Sequence, residues 1–258
     1  MIPKTIHYCW FGKNPLPKLA IKCIESWRKY LPDYKIIEWN EDNFDVNVIP
    51  YTRDAYKEKK YAFVSDYARF WILYHYGGVY FDTDVEVIKF MDDILDKGAF
   101  MGCEIDPSKS SDIAVAPGLG IAANPGLGIA ANPGLGIYKE LLEFYATLSF
   151  YKKDGSLNQT TIVKYTTDIL TIHGLENKKG IQQIEDILIY PAEYFCPKNY
   201  GTGKLIITNK TRTIHHYNES WISPYRKFTK KISKYLDNGT IEKLVRLKRF
   251  LLNKNNNI

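Results

Sequence analysis

Two charged residues stand inside an apolar helix, and two aspartates close the strand that follows. From Ala62 to Tyr76 nearly every position is apolar or aromatic except Asp66 and Arg69, which lie three apart and so on one helical face. Ionised groups in a helix covered on most sides need a partner or a task. Gly77-Gly78 breaks the helix, and Val79 to Val87 reads as a strand in which Asp82 and Asp84 project to one side. Converging carboxylates suit Mg²⁺ or Mn²⁺, hard cations that take one or two protein carboxylates and complete their shell with phosphate oxygens. A cation so held neutralises charge on a departing diphosphate. Read alone, Asp-x-Asp is also an ordinary solvated strand end, and Asp66 with Arg69 a helical ion pair of roughly a few tenths of a kcal/mol. The apolar helix, the embedded pair, the double glycine and the tyrosine-rich strand together favour the functional reading.

The elements that must position these residues alternate. Ile2 to Trp10 reads as a strand, Pro17 to Tyr30 as an amphipathic helix with Ala20, Cys23, Ile24 and Trp27 on its inner face, Tyr34 to Trp39 as a second strand, and Tyr51 to Lys59 as a helix. Strands alternating with helices predict an α/β layer around a largely parallel sheet, with ligands bound beyond the carboxyl ends of the strands, where the Asp-x-Asp falls. PGLGIAAN occupies Pro117 to Asn124, recurs from Pro125 to Asn132, and opens again at Pro133. Two copies of eight residues build no repeat architecture, so the segment reads as a duplicated loop whose Pro-Gly steps form turns, and no site residue is assigned to it. Tyr138 to Tyr151 reads as a helix, with short strands at Ile187 to Tyr190 and Thr213 to His216.

The block SDYARFWILYHYGGVYFDTD, residues 65–84, resembles the sugar-binding region containing the DXD motif in glycosyltransferase family 32 and, more distantly, the catalytic domain of the large glucosylating toxins. The opening IPKTIHYCWFG and the later HHYNESW, from His215 to Trp221, resemble the same family, and the three blocks keep its order. The resemblance implies a GT-A type nucleotide-diphospho-sugar transferase fold, α/β, with a single mixed, mostly parallel sheet flanked by helices. It implies a metal-dependent, retaining transfer of a hexose from a nucleotide-diphosphate sugar, a UDP-sugar on the likeness to the toxins, to a hydroxyl of a surface polysaccharide or lipopolysaccharide, a glycan or lipid-linked glycan acceptor. Asp84 is then expected on Mn²⁺ or Mg²⁺, Asp82 on metal or ribose, and His216 as a further metal ligand. Asp66 and Arg69 are expected on sugar hydroxyls and ribose, Trp10 on the nucleotide base, and Ser220 and Trp221 on the leaving diphosphate. Asn218 and Glu219 are further candidates, although Glu219 is off in spacing from the toxins' metal ligand. With an oxocarbenium-like transition state, the gain comes from stabilising the leaving group and positioning the acceptor. No nucleophile is identified; Glu104 and Asp106 are candidate acceptor-side carboxylates.

Composition agrees with a globular enzyme. At 258 residues and 45% hydrophobic, the chain can bury one full core, expected over residues 1–225. Four scattered cysteines form no C-x-x-C pair, which predicts reduced thiols, and four Asn-x-Ser/Thr triplets read as chance matches. With no apolar signal core and no run able to span a bilayer, a cytoplasmic location is expected. From Arg226 to Lys254, ten Lys or Arg stand against Asp237 and Glu242, a local charge of +8 in a chain of +6 overall. The tail, residues 226–258, thus reads as basic amphipathic helices suited equally to an anionic membrane surface and to packing on the core. No nucleic-acid-reading module accompanies the charge, and no nucleic-acid partner is expected. Two rival readings are a non-catalytic glycan-binding or scaffold subunit and a haloacid-dehalogenase-type phosphatase; Glu86 stands where the latter's motif expects a small hydroxyl or branched residue.

Overall fold

Pro17 caps the first helix and Gly77 ends the third, so the alternation written in the sequence sets where the chain turns. A computed structural model of the protein describes residues 1–105, 122–199 and 203–218. In chain order the elements are β1 (Thr5–Cys9), α1 (Lys18–Tyr30), β2 (Lys35–Trp39), α2 (Pro50–Lys57), α3 (Tyr61–Tyr76), β3 (Gly78–Tyr80) and β4 (Val85–Val87). There follow α4 (Asp92–Leu95), β5 (Ala99–Ile105), β6 (Ala122–Ala131), α5 (Gly136–Thr147), α6 (Ile162–Ile172), β7 (Gln182–Ile184), β8 (Ile187–Tyr190), α7 (Ala192–Phe195) and β9 (Thr213–His215). The main sheet has seven strands in the order β2-β1-β3-β6-β5-β8-β7. β2, β1 and β3 pair in parallel, as do β5 and β8, while β6 and β7 run against their neighbours. This is the α/β class that the alternation predicts, with the mixed, mostly parallel sheet flanked by helices that the resemblance implies.

Both faces of the sheet are covered, and successive residues of a strand enter opposite cores. Tyr80, Met101 and Ile129 pack with α2, α3, α5 and α6, whereas Val79, Phe81, Phe100 and Ala130 pack with α1, α4 and α7. α1 buries Ala20, Cys23, Ile24 and Trp27, the face its spacing predicts. All four cysteines are buried, and none is in a disulfide. Among the described residues, no helix is long and apolar enough to cross a membrane.

Two expectations are corrected. Val79 to Val87 is not one strand: β3 stops at Tyr80, the chain turns through Asp82 to Asp84, and β4 pairs antiparallel with β9 in a separate two-stranded sheet. The two aspartates therefore sit in a turn, where alternation no longer fixes their directions. The second copy of PGLGIAAN is not a surface loop but β6, inserted between β3 and β5. A proline fits there because the pairing with β5 jumps from Met101↔Ile129 to Gly102↔Asn124, so that Pro125 to Gly128 bulge out of that ladder and no bond from the proline nitrogen is needed. The first copy up to residue 121, Asp106, Glu219, Ser220, Trp221 and the basic tail lie outside the described residues.

Candidate active site

Glycine opens the strand that carries the site. Gly78 has φ +97°, and a Cβ there would meet the Thr5 carbonyl oxygen at 2.6 Å and His7 Nε2 at 3.0 Å. Trp39 Nε1 donates to His7 Nδ1 at 3.0 Å, so the other ring nitrogen, Nε2, carries the proton and donates to the Gly77 carbonyl at 3.0 Å. Burial lowers the pKa of His7 to about 4, so this brace is neutral. β3 thereby leaves α3 at a fixed angle and delivers Asp82 beyond its carboxyl end, beside that of β1, from which half-buried Trp10 emerges.

Arg69 is the hub of the first half of the site. Its Nη2 lies 2.9 Å from Asp66 Oδ1 and 3.3 Å from Asp82 Oδ1, and its Nη1 donates to Asp82 Oδ2 at 3.3 Å. Its Nε donates to the Ser65 carbonyl at 3.1 Å, and the guanidinium stands 5.0 Å from the centre of the Tyr80 ring. The fork geometry and permanent charge of arginine hold two carboxylates at once. Asp82 Oδ1 also accepts from the Tyr80 hydroxyl at 3.1 Å, and its amide donates to the Gly126 carbonyl at 3.2 Å. Asp66 and Arg69 are both buried, as their surroundings in α3 predict. Burial raises Asp66 to about 7 although Arg69 opposes the change, with Asp82 adding to the rise. Burial raises Asp82 as well, against Arg69.

Asp84 has a different environment. Its Oδ2 accepts from the Asn218 amide at 2.7 Å, and its Oδ1 lies 3.4 Å from His215 Nε2. Burial alone would raise it, but His215 and the Asn218 amide overcome that and hold it at about 2. His215, whose burial would favour the neutral ring, is raised well above its ordinary value by the charge of Asp84. Two aspartates two residues apart are thus driven in opposite directions.

The expected metal ligand His216 is placed elsewhere. Its Nε2 pairs with Glu86 Oε2 at 2.8 Å, and Glu86 also takes Lys22 Nζ at 2.9 Å. Val85↔His215 is the last register pair of β4 and β9, so His216, one residue past β9, falls on the face of Glu86, while His215 is the histidine that lies beside Asp84 in the turn. Glu104 lies near the carboxyl end of β5, half-buried. Sequence reasoning also passed over Gly126, which lies against Asp82.

The donors fit one hard divalent cation. Asp84 is ionised and 17% exposed, and Asp82 is 30% exposed, so both carboxylates are held yet reachable. Among the described residues no three His, Cys, Asp or Glu side chains converge on a point, which leaves the rest of the shell to substrate oxygens and water. Asp84 adds to the rise of Asp82, and a cation between those two carboxylates would offset their repulsion.

Residues 17–101 match the model of the glycosyltransferase sugar-binding region containing the DXD motif. The chain is 32% identical over 117 residues to inositol phosphoceramide mannosyltransferase 1 of Schizosaccharomyces pombe, covering 41% of this chain and 35% of that protein. It is 30% identical over 117 residues to mannosyl phosphorylinositol ceramide synthase CSH1 of Saccharomyces cerevisiae, covering 44% and 31%. The chain spans about a third of the length of these relatives. A solved glycosyltransferase involved in glycosylation of the major capsid of PBCV-1 superposes with a TM-score of 0.46 at 12% identity, over 89% of this chain and 100% of that one.

Proposed function

We propose, from the premise that this chain belongs to the glycosyltransferases with a DXD-containing sugar-binding region, that it moves a hexose from a nucleotide-diphosphate sugar to a hydroxyl of a glycan or glycolipid. The observation that carries this reading is a buried Arg69 that holds Asp66 and Asp82, with Asp84 two residues on from Asp82 kept ionised by His215 and the Asn218 amide. In a GT-A type site, Asp84, with Asp82 beside it, would hold Mn²⁺ or Mg²⁺, which when bound supplies positive charge to the departing diphosphate. Asp66, and Asp82 through Arg69, present hydrogen-bond acceptors to the sugar and ribose hydroxyls. Arg69 keeps these carboxylates in place without leaving any buried charge unpaired. Trp10 offers an aromatic face for the base, and the resemblance assigns the diphosphate to Ser220 and Trp221, which lie outside the described residues. The local charge of +8 from Arg226 to Lys254 suits attachment to an anionic membrane surface carrying a lipid-linked acceptor as well as it suits a solvated basic face.

The two relatives above carry mannosyl names, which makes a mannose donor the first to assay beside the uridine donors suggested by the likeness to the toxins. The test is hydrolysis and transfer across UDP- and GDP-sugars with Mn²⁺ or Mg²⁺, for the native chain and for Asp84→Ala. One nucleotide is expected to be released from one donor, and release should fall at least about a hundredfold with EDTA or with the substitution. Release that survives both would refute the assignment of Asp84.

A further inference from the structure

Gly126 is a glycine for lack of room rather than for backbone freedom. Its φ does not fall in the positive region that favours glycine, unlike Gly128 of the same bulge at +138°. A Cβ on Gly126 would collide with Asp82 Oδ2 and stand 3.0 Å from Arg69 Nη1 and from Asp82 Cγ. The Gly126 carbonyl meanwhile accepts the Asp82 amide at 3.2 Å. One residue of β6 therefore fixes the backbone of Asp82 and leaves the space its carboxylate occupies while paired with Arg69.

We infer that Gly126 is a positioning residue for the donor site, setting the Asp82 carboxylate on Arg69 through its carbonyl and its missing side chain. The inference rests on the reading of Asp82 as a donor-site group. Its physical content, that any side chain at this position displaces Asp82, stands on the packing alone. The bulge of Pro125 to Gly128 is what brings this backbone out of the β5 ladder and against the turn after β3.

The sequence imposes one condition on the test. Residues 117–124 repeat residues 125–132 without change, so Gly126 has an identical counterpart in Gly118. The substitutions G126A, D82A and G126A/D82A are therefore made both in the full chain and in a chain lacking residues 117–124, where a single copy remains. Should the shortened chain fail to fold, G118A/G126A in the full chain takes its place. Thermal unfolding without ligand gives one readout, and calorimetric binding of UDP and of GDP with Mn²⁺ gives another.

In the shortened chain, G126A is expected to lower Tm by about 5 °C and to weaken nucleotide binding at least about tenfold. Combined with D82A it should add nothing to the Tm loss of D82A alone, because the carboxylate it displaces is gone. An equal Tm loss with and without D82A would overturn the inference, since the glycine would then serve strand packing only. So would a silent G126A in the single-copy chain. If neither nucleotide binds any form of the protein, the proposed function falls while the Tm cycle still decides the role of Gly126.

Discussion

Replacing Asp66 with asparagine separates the cost of a buried charge from the shape of the side chain that carries it. Burial in α3 raises this carboxyl from its ordinary 3.8 to about 7, with Arg69 opposing and Asp82 adding. Below pH 3.8 the group is protonated in both the folded and the unfolded chain and changes nothing. Between 3.8 and about 7 the folded chain keeps a proton that the unfolded chain has lost, so stability falls as pH rises, by about 1.4 kcal/mol per pH unit. Above about pH 7 both forms are ionised and the whole penalty, about 4 kcal/mol, is present. Asparagine keeps an oxygen facing Arg69 and cannot ionise. The stability difference between Asp66→Asn and the native chain should therefore shift toward the variant by about 3 kcal/mol from pH 5 to pH 8. Taking the change in that difference cancels other titrating groups, including Asp84, whose depressed value acts in the opposite sense at lower pH. Urea denaturation followed by tryptophan fluorescence at several pH values measures it directly. Parallel stability curves for the two proteins would refute the reasoning, and would mean that the ion pair with Arg69 outweighs burial.

The two adjacent histidines offer a test of register: His215→Ala strands the Asp84 carboxylate and should cost about 3 kcal/mol, together with a loss of Mn²⁺ affinity. His216→Ala leaves Glu86 with Lys22 and should change stability by less than about 1 kcal/mol; equal costs in denaturation would contradict the facing of β9. Trp27, fully buried, donates from Nε1 to the Val85 carbonyl at 2.8 Å and packs on Phe81. Trp27→Phe should lose about 2 kcal/mol in chemical denaturation and weaken metal-dependent nucleotide binding, because β4 then loses an anchor next to Asp84. His173 is held by Glu140 at 2.7 Å and Glu185 at 2.6 Å, and the hydrogen bond to Glu140 leads in raising its pKa above 6.5. Its contribution is complete below pH 6.5 and lost as pH rises through the raised value; native and His173→Gln proteins should differ in stability at pH 5 and converge in alkaline buffer.

Asp66 and Arg69 were legible because a charge in a helix apolar on most sides has few innocent explanations, and their burial in α3 agrees with that reading. The start of α1 at Pro17 and the end of α3 at the two glycines after Tyr76 followed from the sequence, whereas α5 ends at Thr147, short of the expected Tyr151. The side-chain directions around Asp84 were not legible. Which of two neighbouring histidines faces inward depends on the register of β9 against β4, and β4 as a separate strand was hidden by an apolar run that continues on both sides of the Asp82 to Asp84 turn. Nor could β6 be read from its own sequence. Pro and Gly at every turn of an eight-residue repeat signal a loop, and only the partners on either side, β3 and β5, together with the bulge, make a strand of it. There tertiary pairing overrides local propensity.

The small sheet of β4 and β9 has a consequence for how the protein is made. Asp84 and the Asn218 amide that binds it are 134 residues apart in sequence, whereas Asp66, Arg69 and Asp82 lie within one short stretch. As the chain emerges from the ribosome, the arginine-centred half of the site has its side chains early, while Asp84 waits for His215 and Asn218. A nascent chain stopped before β9 therefore carries a solvated, ordinary aspartate where the finished protein has a held and fully ionised one. Competence waits for one three-residue strand and the segment that follows it.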